Sequence, residues 1–70
     1  MTDIEELRSE IKKLSSRAVK AKMDLHDLSE DLPVGWSSIP EVAARAHDAY
    51  AMLEERRTAL RALEEKEARA

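Results

Sequence analysis

Apolar residues recur along the first half of the chain at Ile4, Leu7, Ile11, Leu14, Ala18, Ala21, Leu25, Leu28 and Leu32, in alternating steps of three and four. That spacing is the a/d seam of a heptad repeat and fits no strand, whose side chains alternate with a period of two. A second seam follows at Ile39, Val42, Ala46, Ala49, Leu53, Arg56, Leu60 and Leu63. Arg56 is its one polar member, and lone polar seam residues commonly set register. Pro33 lacks an N–H and forces Leu32 away from α geometry, and Gly35 supplies the dihedral freedom for a reversal. Thr2 with Glu5, and Ser38 with Glu41, are spaced as capping boxes, and Pro40 fits the first turn of a helix. These signals predict one helix over about 3–32, a turn over 33–38 and a second helix over about 39–67, with the charged run from Glu64 to Ala70 frayed for want of a C-cap glycine. Each helix spans on the order of 42 Å, and near-equal helices joined by a short turn fold side by side as an antiparallel hairpin, a single all-α domain over 1–70.

Seventy residues bury only about 60% of their unfolded surface, so a hairpin with one seam per helix is marginal by itself. Val19, Met23, Ala43, Tyr50 and Met52 lie outside the seams and would be exposed in a monomer. A homodimer, and hence a four-helix bundle, would cover them. The same seam residues, Ile4 to Leu28 and Val42 to Leu63, would then line the dimer core.

Composition narrows the chemistry. With no cysteine, disulfides, thiolate zinc sites and cysteine-held clusters are excluded. The acidic start Thr2-Asp3-Ile4-Glu5-Glu6 is unlike a signal peptide, and no membrane span is legible, so the expected compartment is the cytoplasm. A net charge of −3 makes nucleic acid an unfavourable partner in general. Lys13, Arg17 and Lys20 do share a helix face that could grip an RNA backbone, although no aromatic side chain interleaves to stack bases. Nothing points to an enzyme: no glycine-rich loop and no nucleophile with an orienting base is present, and a thin bundle offers no enclosed pocket.

The segment from Lys22 to Pro33 stands apart, since Asp24, Asp27, Glu30 and Asp31 crowd the C-terminal end of a helix, where negative charge opposes the macrodipole. Solubility alone would account for a solvated charge run, and so would a docking surface. His26 lies in this segment at about the height of His47 in the hairpin, and two copies of His26 meeting across a two-fold axis could hold a divalent ion. A divalent metal at His26 is therefore the one cofactor the pattern allows, and none is required. Trp36 in the turn either plugs the open end of the bundle or serves as a partner's anchor. Asp24, His26, Asp27, Asp31 and Trp36 are accordingly the candidate partner-binding residues.

The run Lys22-Met23-Asp24-Leu25-His26-Asp27-Leu28, preceded by Arg17 and Ala21 and followed by Ser29, Glu30, Leu32 and Pro33, an aromatic in the turn and Ile39-Pro40-Glu41-Val42-Ala43, resembles the small Rop-like nitrogen-fixation proteins encoded among nitrogenase genes. The resemblance extends from about Ile4 to Leu63, and the turn Pro33-Val34-Gly35-Trp36 departs from the family's more polar usage. It implies an antiparallel hairpin, a rod-like homodimer and an accessory role in nitrogen fixation. The family's histidine in divalent metal contact across the dimer falls on His26. The expected function is then binding to the nitrogenase molybdenum–iron component, or to a factor that assembles its cofactor, through the acidic, histidine-containing end. A divalent-metal carrier or sensor and an RNA-binding bundle are the alternatives; the term Rop-like describes shape and does not transfer RNA binding.

Overall fold

A computed structural model describes residues 4–69. The first expected capping box, at Thr2, lies outside the described residues. Helix α1 spans Ile4–Asp31 and helix α2 spans Ile39–Arg69, with a short 3-10 turn at Trp36–Ser38 between them. The two helices lie antiparallel in a rod of 55 × 18 × 15 Å. Helix α2 continues through the charged segment that lacks a C-cap glycine, as far as Arg69.

The seam has its tightest packing at mid-length, where Leu14, Ala18 and Leu53 are buried together and Ile11 and Ala49 pack against them. Leu7, Val42 and Ala46 are also buried. Away from the turn the seam is built from leucines and closed on its flanks by ion pairs. Arg8 reaches Glu64 at 3.0 Å on one side. Arg56 donates from Nε to Glu10 Oε1 at 2.7 Å. The polar seam residue thus has its partner on the opposite helix, and the bound carboxylate raises the Arg56 pKa above its ordinary value, chiefly through that hydrogen bond. A guanidinium is charged throughout the accessible pH range, so the pair fixes register at any pH that leaves Glu10 ionised.

Toward the turn the seam continues through Ala21, Leu25 and Leu28 on α1 and Ala46 and Val42 on α2, where the alanines bury less apolar area than the leucines at mid-length. At its end the seam opens: Leu32 and Ile39 are 40% and 39% exposed. The reason is the departure of the chain from helical geometry at this point. The Leu32–Pro33 peptide is cis and Gly35 adopts φ +75°. Val34 N–H donates to Asp31 O at 2.9 Å, Trp36 N–H to Pro33 O at 3.2 Å and Ser38 N–H to Gly35 O at 2.9 Å. These bonds satisfy backbone groups that the helix ends would otherwise leave unpaired.

The second expected capping box does not form. Ser38 is inside the 3-10 turn, whereas an N-cap residue needs a non-helical backbone for its hydroxyl to reach forward. The 3-10 turn leads the chain into α2 instead, with Ile39 N–H donating to Trp36 O.

Gly35 is doubly constrained, by its left-handed backbone and by Leu28 Cδ1, which a Cβ would meet at 3.2 Å. Gly35→Ala is expected to lower stability by about 1–2 kcal/mol in urea titration followed by circular dichroism. Leu53→Ala, which empties the centre of the seam, is expected to cost about 2–5 kcal/mol in the same measurement.

Candidate functional site

The last two turns of α1 and the loop beyond them form one end of the rod. No basic residue lies in the last turn of α1, so Asp27, Glu30 and Asp31 face the partial negative charge of the helix terminus without a cation among them. Asp24, half-buried and nearer the middle, has Lys20 Nζ at 4.0 Å. His26 is exposed and held between two carboxylates. Its Nε2 is 3.2 Å from Glu30 Oε1, and its Nδ1 is 3.6 Å from Asp27 Oδ1. Ser29 adds a local bond, its Oγ donating to His26 O at 2.9 Å.

The structure therefore brings His26 and Asp27 together, adds Glu30 as the nearest partner, and leaves Asp24 paired with Lys20. Glu30 belongs to the acidic run read from the sequence but not to the candidate partner-binding residues; the signal that joins it to His26 is their i+4 spacing, which places the two side chains on one face. Asp31 is exposed, and its carbonyl rather than its carboxylate ties down the turn. Trp36 is 68% exposed and Val34 is 74% exposed, so within the hairpin the indole plugs nothing. Together with Leu32 and Ile39 they form an apolar tip behind an acidic collar.

His47 does not join His26. Its Nδ1 lies 3.4 Å from Asp48 Oδ1. Among the described residues no group of three or more histidine and acidic side chains converges in a way that could hold a metal ion. One chain therefore does not supply a donor set that fits a divalent metal at His26.

A shallow groove of about 500 Å³ runs along the alanine-rich half of the hairpin. Leu25, Ala43, Ala46 and Ala51 give it an apolar surface, Tyr50 stands at its side, and Lys22 and His47 lie on its rim. Among the described residues no helix is long and apolar enough to cross a membrane.

Residues 2–65 match the family model described as Rop-like. The chain belongs to the Rop-like family. A protein of Azorhizobium caulinodans described as a UPF0437 protein is 56% identical over 64 residues, covering 91% of this chain and 93% of that relative. A UPF0437 protein of Frankia alni, described by its position in the nifX-nifW intergenic region, is 56% identical over 41 residues, covering 59% of this chain and half of that relative. A structural-genomics target solved by NMR superposes with a TM-score of 0.84 at 48% identity, covering 93% of this chain and 92% of its own. The two-helix hairpin is thus the fold of a solved relative, and this Rop-like family is linked to nitrogen-fixation gene clusters.

The acidic end of α1 has a measurable consequence for stability. Asp31→Asn, which removes a charge from the negative pole of the helix, is expected to stabilise the chain by about 0.3–1 kcal/mol at low ionic strength. Thermal unfolding followed by circular dichroism reads this as a raised midpoint; a lowered one would mean that the carboxylate is engaged by a partner within the hairpin.

Proposed function

We propose that this protein is a non-catalytic accessory factor of nitrogen fixation. It works as a homodimeric four-helix bundle and docks through the acidic, histidine-containing end of the hairpin on the nitrogenase molybdenum–iron component or on a protein that assembles its cofactor. The observation that carries this reading is the tip itself. An indole 68% exposed stands beside carboxylates that the helix dipole disfavours, and the family is linked to nitrogen-fixation genes. Exposed aromatics with a charged surround are the ordinary anchors of protein interfaces, the aromatic supplying buried area and the charges supplying orientation and on-rate. Asp24, His26, Asp27, Asp31 and Trp36 form the contact, and Glu30 joins them through His26.

Homodimer formation is supported by the exposed Val19, Met23, Tyr50 and Met52 and by the small core of a single hairpin. Light scattering at micromolar concentration should give twice the 7.9 kDa chain mass.

The docking surface is tested by affinity capture from nitrogen-fixing cells with the tag at the C-terminus. The wild-type chain is expected to retain a nitrogenase component or a cofactor-assembly protein, with or without a divalent chelator. The pair Asp24→Asn and Asp27→Asn, and separately Trp36→Ala, are expected to reduce that retention by tenfold or more with helicity unchanged. Capture that survives all these substitutions would sink the surface assignment, and capture lost on chelation would make a metal shared between copies of His26 part of the contact.

A further inference from the structure

The tip of the hairpin combines an apolar end with a one-sided charge. Leu32, Val34, Trp36 and Ile39 are 40%, 74%, 68% and 39% exposed. They lie on a turn tied by its own backbone bonds, Val34 N–H to Asp31 O, Trp36 N–H to Pro33 O and Ser38 N–H to Gly35 O. The main chain at Trp36 is therefore set before anything binds, which lowers the ordering cost of using the indole as an anchor. Residues 27–44 contain Asp27, Glu30, Asp31 and Glu41 and no lysine or arginine. Within a net charge of −3, this end of the rod is at −4 and the rest of the chain, histidines neutral, at +1. Among the described residues Asp27 and Glu30 have only His26 beside them, and Asp31 and Glu41 have no ion-pair partner. Counted back from the turn, Arg45 is the first cation, at about the height of His26.

We infer that the tip is a plug for an apolar pocket in the partner protein, and that the rim of this pocket is lined by lysine and arginine. The inference rests on the docking reading above and adds the chemistry of the surface that receives the tip. Shape requires a pocket. The end of one hairpin is 18 × 15 Å across its backbone, so a flat end-on contact buries on the order of a few hundred Å², short of the roughly 800 Å² per partner of a specific interface. A concave site makes up the difference by passing over the apolar tip and reaching its flank, where Asp31 and Asp27 stand about 6 Å apart along the helix.

Charge requires a basic rim. Carboxylates pressed against a neutral or acidic wall lose water without a compensating partner, whereas guanidinium and ammonium groups pair with them and offset that cost. The same charge disfavours the other apolar surface open to an exposed indole, a bilayer, whose anionic headgroups repel the collar.

The experiment has one arm on the free chain and one on the complex. The isotope-labelled chain has a single indole N–H. At low salt a cationic nitroxide is expected to relax its NMR signal at least about twice as strongly as an anionic one; equal relaxation overturns the acidic surround of the tip. For the complex, the probe is the purified nitrogenase molybdenum–iron component, or the cofactor-assembly protein if the capture retains that one instead, titrated against the chain immobilised by its C-terminus. Affinity is expected to fall about tenfold or more as sodium chloride rises from roughly 0.05 to 0.3 M. Asp31→Asn with Glu41→Gln flattens that salt dependence. Glu65→Gln with Glu67→Gln, an equal charge removed at the other end of the rod, leaves it unchanged. Trp36→Ala weakens binding about tenfold at every salt concentration. Affinity indifferent to salt, or to Asp31→Asn with Glu41→Gln, overturns the basic rim and leaves the docking reading standing. Trp36→Ala without effect overturns the pocket. A wild-type chain that sediments with phosphatidylcholine vesicles assigns the tip to lipid and overturns both. If neither protein binds, the docking reading falls and this inference with it.

Discussion

Everything in this hairpin depends on one narrow seam shared by two helices, and on how tightly that seam is closed along its length. Where Leu7, Ile11, Leu14, Leu53, Leu60 and Leu63 meet, the two helices supply their own core, and Glu10 with Arg56 locks the register at 2.7 Å. Ala18 and Ala49 pack tightly with Leu14 and Leu53 at mid-length, while nearer the turn Ala43 and Ala46 line a shallow groove on one flank. The seam is therefore closed at its centre and open on one flank toward the turn. The open end is also the end that carries the turn, the acidic collar and the tryptophan.

The hairpin was legible in the sequence because two strong local signals agree. The three-and-four alternation defines the faces, and Pro33 with Gly35 marks where the chain must leave α geometry. Detail at the junction was not legible. Ser38 and Glu41 have the spacing of a capping box, but the Ser38 N–H that the Glu41 side chain would cap is already paired with Gly35 O in the 3-10 turn. Arg56 could be recognised as a register residue, whereas its partner Glu10 lies 46 positions away and no local pattern connects them. The groove was hidden for a related reason: alanines at seam positions read as core, and only the folded pair reveals that they leave room for something else.

At the tip, sequence reasoning identified the residue types and the structure supplied their relations. His26 contacts Glu30 and Asp27, Asp24 is paired with Lys20, and Trp36 projects from the turn, where the helical pattern no longer says which way a side chain points. The acidic collar at the negative pole of α1 is the one place where the charge pattern works against the helix it sits on.

The two aromatic residues of the chain, Trp36 and Tyr50, lie on the two surfaces just contrasted. The indole is at the tip and the phenol is on the groove, 68% and 41% exposed. With no other tryptophan present, emission excited on the red edge, where tyrosine does not absorb, comes from the tip of the hairpin alone, and the unmodified chain carries its own optical reporter at the turn.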